Sequence, residues 1–304
     1  MSFASDVKTE LCRTGLTRKC CAQAEGYGVL MYCNQFSTGE IRIVTESDAF
    51  AARLPQLFKK AFKVEFDRKP EPGTTGKRVF GITDKEKLNS IRDVFGMDAG
   101  SMLAHHINFA VLEESCCRLS FLRGAFLAGG SVTDPGKSYH LELATSHYNV
   151  SREGLALMQE CGFNPKQVTR KANYISYFKQ SESIEDFLTS IGAPLSAMEI
   201  MNTKLEKNLR GSINRRVNCD AANLDKAVEA AQAQIEAIRQ LKKSGVWDKL
   251  PDKLKEAARL REEHPEETLV QLASQCDPPV TKSALNHRLR KLLELSRQTE
   301  VAEL

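Results

Sequence analysis

The stretch Ser115–Val132, S-C-C-R-L-S-F-L-R-G-A-F-L-A-G-G-S-V, decides the fold. Its apolar residues Leu119, Leu122, Phe126 and Leu127 recur at helical spacing, with Gly124, Ala125, Ala128, Gly129 and Gly130 between them. A helix with Gly and Ala along one side lets another backbone come close, because no Cβ bulk holds it away. One half of a helix–helix seam is therefore expected here, and the chain supplies a second half. In Lys19–Phe36, K-C-C-A-Q-A-E-G-Y-G-V-L-M-Y-C-N-Q-F, Cys20-Cys21 falls on Cys116-Cys117, Gly28 on Gly124, Leu30 on Phe126 and Met31 on Leu127. A period of about 100 residues is too long for a solenoid and points to a duplicated domain.

Both copies repeat the same order outward from these helices. In the first, residues 3–35 are helical in two pieces broken near Thr14-Gly15. Gly39–Glu46 alternates as a strand and Ala49–Ala61 is an amphipathic helix. Lys63–Arg68 and Lys77–Thr83 are short β-rich runs joined by a Pro/Gly loop, and Asp84–Phe95 is a helix capped by Asp84 and stopped at Gly96. In the second, strand material broken by a D-P-G-K turn at Asp134–Lys137 leads to the alternating run Ser138–Ser146. A helix at Ser151–Cys161, a β-rich pair in Gln167–Lys179 and a helix at Ser183–Ile191, capped by Ser183, follow. Each copy reads helix, strands, helix, strands, helix.

Composition sets bounds. At 304 residues the chain has room for about two domains. With 41% hydrophobic and 27% charged residues it falls in the ordinary globular range. No apolar run is long enough to span a bilayer, and the N-terminus lacks a signal-peptide pattern, so a cytoplasmic location is expected. The nine cysteines form no C-x-x-C pair, which supports neither a zinc ribbon nor a thioredoxin-like site; most are expected as small core residues in a reducing compartment. Neither a cofactor nor a metal is expected. A net charge of +4 does not by itself indicate nucleic acid, but basic residues cluster at Arg210–Arg216 and His287–Lys291.

From Pro194 the chain turns helical, with Ala197–Asn208 and Ala221–Lys243 rich in strong helix formers. The polar, basic R-G-S-I-N-R-R-V-N-C-D between them is a linker candidate; Arg210, Arg215 and Arg216 either contact phosphate or are simply solvated. Leu254–Glu262 and Glu267–Gln275 are helices. After D-P-P-V, Thr281 is placed to cap a third, Lys282–Leu295, which makes a helix-turn-helix. Leu285, Leu289 and Leu292 share the inner face of this last helix. Ser283, His287, Arg290 and Lys291 point away, flanked by Lys282, Asn286 and Arg288. Arg pairs with guanine, Asn with adenine, and Lys and Ser serve phosphates, so Thr281, Lys282, Ser283, Asn286, His287, Arg288, Arg290 and Lys291 form the candidate DNA-binding set.

The motif Phe121–Val132, F-L-R-G-A-F-L-A-G-G-S-V, resembles the motif helix of LAGLIDADG homing endonucleases, whose repeats run αββαββα. The strings S-A-L-N-H-R-L-R-K (Ser283–Lys291) and N-R-R-V-N-C-D-A-A-N-L (Asn214–Leu224) resemble WhiA proteins, Gram-positive regulators that join a degenerate LAGLIDADG fold to a helix-turn-helix. The resemblance implies an α+β duplicated LAGLIDADG-like domain followed by an all-α DNA-binding domain, divided as 1–110, 111–209, 210–245 (linker and long helix) and 246–304. It also implies a cytoplasmic, nucleoid-associated transcriptional regulator of cell division and chromosome segregation, or of sporulation in sporulating relatives. In the nuclease each motif helix ends in a carboxylate that holds a catalytic divalent ion. The matching positions here are Cys33 and Gly129, neither a hard oxygen ligand. Asp134 is the nearest acid and lies in a turn expected to point away. No cleavage is therefore expected; the alternative is an active endonuclease with displaced ligands. Double-stranded DNA is the expected partner, and no membrane is. The LAGLIDADG-like sheet, with residues such as Arg42, Lys171 and Tyr174, is left open to DNA, to a regulatory protein or to solvent.

Overall fold

The computed structural model describes residues 2–71, 73–97 and 105–302. The first repeat runs α1 (Phe3–Cys12), α2 (Lys19–Tyr32), β1 (Gln35–Phe36), β2 (Ile41–Thr45), α3 (Asp48–Phe62), β3 (Arg78–Ile82) and α4 (Lys85–Val94). The second runs α5 (Ser115–Gly129), β4 (Gly130–Val132), β5 (Leu141–Thr145), α6 (Tyr148–Glu160), β6 (Lys166–Arg170), β7 (Asn173–Phe178) and α7 (Ser181–Ile191). Then come α8 (Pro194–Lys243), α9 (Asp252–Glu263), α10 (Leu269–Gln275) and α11 (Lys282–Ala302). The chain divides into two compact units, Met1–Asn208 and Leu209–Leu304.

Helices α2 and α5 form the seam and make the most extensive helix–helix contact among the described residues. A Cβ on Gly28 would lie 2.0 Å from the Phe121 carbonyl oxygen and 2.8 Å from the Ala125 nitrogen. A Cβ on Gly124 would lie 2.0 Å from the Glu25 oxygen and 3.0 Å from the Val29 nitrogen. Phe121 and Ala125 are the repeat mates of Glu25 and Val29, so each glycine admits the backbone of the other copy and the seam is pseudo-symmetric.

The seam also holds a buried ionic cluster. The Glu25 carboxylate accepts from Arg53 Nε at 2.5 Å and Nη2 at 2.9 Å, and from Arg123 Nε at 2.9 Å. Arg53 Nη1 donates onward to the carbonyls of Cys12 (2.9 Å) and Thr14 (2.7 Å). Arg123 donates to the Ile191 carbonyl (3.0 Å) and to Ser120 Oγ (3.1 Å). Burying three charges is tolerable only where donors and acceptors are filled in this way. The cluster joins the first repeat, through Glu25 and Arg53, to the second, through Arg123.

Two antiparallel sheets flank the seam. The first has order β1-β2-β3, with β2 and β3 paired from Ile41↔Ile82 to Thr45↔Arg78. The second has order β4-β5-β7-β6, with β5 and β7 paired from Leu141↔Phe178 to Thr145↔Tyr174. The first copy departs from the expected pattern, because Lys63–Arg68 forms no strand and only one bridge, Arg68↔Gly81. Val64 and Phe66 turn into the core, where Phe66 packs on Phe58 and Phe80. The Asp67 carboxylate, rather than a ladder, accepts the Thr83 (2.7 Å) and Asp84 (2.9 Å) N–H groups.

Two further expectations are corrected. Helix α7 starts at Ser181, so Ser183 lies inside it and does not cap it. The polar stretch at 210–220 is not an irregular linker; it is part of the 50-residue helix α8. The carboxylate of Glu10 on α1 caps the start of α8, accepting from the backbone N–H groups of Leu195 (2.7 Å) and Ser196 (2.8 Å). Among the described residues, no helix is long and apolar enough to cross a membrane.

Candidate nucleic-acid interface

In the second unit, Leu285, Leu289 and Leu292 of α11 are fully buried with Leu272 and Ala273 of α10, Ala257 and Ala258 of α9, and Ile238 and Leu241 of α8. Arg261 braces this core from within, donating to Gln234 Oε1 (3.0 Å) and to the carbonyls of Pro265 (3.3 Å) and Glu267 (2.9 Å). Burial lowers the Arg261 pKa from its usual value. Helix α10 opens with a capping box in which Thr268 and Gln271 satisfy each other's backbone N–H groups. Thr281 Oγ1 accepts the Ala284 N–H at 3.2 Å and so fixes the start of α11.

With its apolar side committed, α11 turns the other side outward. Thr281, Lys282, Ser283, His287, Arg290 and Lys291 are exposed, and Asn286 and Arg288 are half-buried. No acid interrupts the run from Thr281 until Glu294, which takes the Lys291 ammonium at 3.2 Å. Arg288 differs from the others: its Nη1 donates to Glu256 Oε2 at 3.0 Å. The other Glu256 oxygen accepts the Asp277 N–H at 2.7 Å, so one carboxylate of α9 ties down both the turn and α11. Nothing in the sequence pattern marked Glu256 or Arg261, because each acts through partners on other elements.

In the first unit a groove of about 920 Å³ opens over the outer face of the first sheet, lined in part by Lys8, Asn34, Arg42, Val44, Lys77 and Ser131. Lys8 donates to the Leu127 carbonyl at 3.1 Å at the end of α5, and burial lowers its pKa. Arg42 lies on this face and Lys171 is exposed in the β6–β7 hairpin. Tyr174 does not share it. It pairs with the inward Thr145 and packs edge-on against Tyr148 of α6, on the helix-covered side of the second sheet.

The C-terminal ends of the seam helices are closed by packing. A Cβ on Gly129 would lie 2.5 Å from the Ala144 oxygen, so no side chain fits. The Cys33 thiol donates to the carbonyls of Leu30 and Gln35, both at 3.2 Å, and burial pushes its pKa up to about 12. Asp134 is exposed and accepts the Gly136 N–H of its own turn at 2.7 Å.

Residues 118–210 match the profile of the WhiA LAGLIDADG-like domain, and residues 213–296 that of the WhiA C-terminal HTH domain. A probable cell division protein WhiA of Ruminiclostridium cellulolyticum is 38% identical over 97% of this chain and 97% of its own length. One from Macrococcus caseolyticus is 37% identical over 100% and 98%. The fold is similar to the crystal structure of full-length WhiA from Thermotoga maritima, with a TM-score of 0.60 at 22% identity, covering 98% of this chain and 99% of that one.

Proposed function

This chain belongs to the WhiA family, and from that premise we propose that it is a DNA-binding regulator without nuclease activity, acting in cell division. The observation that carries DNA binding is the α11 face: a basic run with no acid before Glu294, on a helix whose opposite side is locked in a core. In this proposal Arg290, His287 and Asn286 face base edges. Lys282, Ser283 and Lys291 serve phosphates, Thr281 sets the helix start, and Arg288 adds positive charge while held by Glu256. The names of the relatives support a role in cell division; chromosome segregation, sporulation in sporulating relatives and a nucleoid-associated, cytoplasmic location belong to the same proposal. The working division is 1–110 and 111–209 for the two repeats, 210–245 for the connecting segment and 246–304 for the DNA-binding domain. The groove over the first sheet is its second surface, for DNA or a regulatory protein.

The absence of cleavage is supported by Cys33 and Gly129 at the ends of the seam helices, where neither offers a carboxylate. Chromosome-wide mapping of bound sites supplies the target. On that target Arg290→Ala should weaken binding by about 1–3 kcal/mol, and affinity should fall steeply with salt as counterions are released. A gel shift unchanged by Arg290→Ala contradicts the assignment. Divalent-dependent cutting of plasmid by clean protein contradicts the non-catalytic half and favours an endonuclease with displaced ligands.

A further inference from the structure

At the opposite end of the seam from Cys33 and Gly129, three thiols converge with a fourth beside them. Cys20 and Cys21 are the second and third residues of α2, and Cys116 and Cys117 hold the same places in α5. The Sγ atoms of Cys20, Cys21 and Cys117 all lie within 4.8 Å of one another. Cys116, next in sequence to Cys117, accepts from Arg18 Nη1 at 3.8 Å. All four are free thiols, graded from exposed Cys20 through half-buried Cys21 and Cys116 to buried Cys117.

We propose that these cysteines form a thiolate site for one zinc ion, which clamps the N-terminal ends of α2 and α5 together. Three observations lead there. Zinc held by sulfur at about 2.3 Å in a tetrahedron needs S···S separations of about 3.8 Å, close to what Cys20, Cys21 and Cys117 already offer within 4.8 Å, and Cys116 on the same turn of α5 as Cys117 is the fourth ligand. Neither α2 nor α5 has a side-chain N-cap, so the partial positive charge of both first turns faces the sulfurs. The Arg18 guanidinium adds a full positive charge at the rim. These charges offset the negative charge of a zinc tetrathiolate, while exposed Cys20 leaves an entry path. As each S–Zn bond forms, the S–H bond breaks and its proton passes to solvent, with no change of oxidation state. The spacing disguises the site in the sequence: each pair is adjacent rather than C-x-x-C, and the pairs come together only because the repeats do. The site is independent of DNA binding by α11.

The test uses the full chain, reduced with a phosphine under inert gas and titrated with Co²⁺ as a spectroscopic probe. The expected result is a sulfur-to-cobalt charge-transfer band that saturates at one equivalent per chain and is displaced by Zn²⁺, with proton release in the same titration. Cys20→Ser and Cys116→Ser should each lose tight binding while keeping the circular dichroism of the parent, and Cys219→Ser should behave as the parent does. No charge-transfer band in the parent chain would overturn the proposal, without reference to any variant. So would a band that survives the combined Cys20→Ser and Cys116→Ser change, or an α2–α5 disulfide forming on exposure to air in protein that takes up no metal.

Discussion

The seam pair α2 and α5 and the single helix α11 use their side chains in opposite ways. In the seam, closeness is everything: Gly28 and Gly124 give up side chains so that backbones can touch, and the one carboxylate there, Glu25, is consumed by two guanidiniums. On α11 only one side is committed, through Leu285, Leu289 and Leu292, and opposite it Lys282 and Arg290 are left facing solvent. A charge that is buried must be paired, and once paired it has little left for a ligand; an exposed, unopposed cation keeps its capacity to meet a phosphate. The scaffold that resembles a nuclease is thus the closed part of the molecule, and the helix-turn-helix is the open one.

The sharpest way to break this contrast is to remove Glu25. Glu25→Ala leaves Arg53 and Arg123 buried without a counter-charge and should cost about 3–5 kcal/mol in urea unfolding of the full chain. A loss below about 1 kcal/mol would mean that the cluster does not lock the seam. Gly124→Ala comes next, because its Cβ would meet the Glu25 oxygen at 2.0 Å; a cost near or above the upper end of the usual range of about 1–3 kcal/mol is expected. Gly39→Ala, with nothing within 4 Å of its Cβ, is the control and should shift stability by no more than about 0.5–1 kcal/mol.

Acid should also separate the two regions. His105 is buried and stacked on Phe36, with the His147 ring set edge-on at 4.2 Å between ring centroids. Burial, reinforced by His147, moves its pKa down from 6.5 to about 4. The unfolded chain therefore takes up this proton first. Stability is whole above pH 6.5, falls as the pH drops towards 4 and levels off below, with a loss on the order of 1–2 kcal/mol by pH 5. The lowered pKa of His147 adds in the same direction. Trp247, the chain's single tryptophan, lies in the second unit. Far-UV circular dichroism in urea should thus become acid-sensitive before Trp247 emission does, and His105→Gln should flatten the difference. Parallel acid shifts of both signals would remove the distinction.

The seam was legible in the sequence because backbone contact leaves a mark in composition: Gly28 and Gly124 fall at one offset, with matching neighbours. The recognition helix was legible because Leu285, Leu289 and Leu292 sort one face from the other. Partnerships across long separations left no such mark. Glu25 meets Arg53 and Arg123 across 28 and 98 positions, and nothing local predicts either meeting. The helical state of 210–220 was visible in part, since Leu205, Leu209, Ile213 and Val217 recur every four residues, but polar composition outweighed that spacing. The missing strand near Phe66 reflects competition between alternation and aromatic packing, which only the folded core decides.

The smallest expected effect concerns which cations of α11 are open. Arg288 sits on the same helix as Arg290 but is held by Glu256, with side-chain exposures of 17% and 29% for the pair. A partly buried, charge-assisted hydrogen bond of this kind should couple the two residues by about 0.5–1.5 kcal/mol. Arg288→Ala and Glu256→Gln should each lower the stability of the full chain slightly, and the combined change should cost less than the two added together. On the mapped DNA target, Arg288→Ala should weaken binding less than Arg290→Ala does, because Arg288 reaches the duplex only by leaving its carboxylate. If Arg288→Ala leaves stability untouched and weakens binding as much as Arg290→Ala, then Glu256 is a resting partner that DNA displaces, and the line between committed and open cations runs behind Arg288 rather than in front of it.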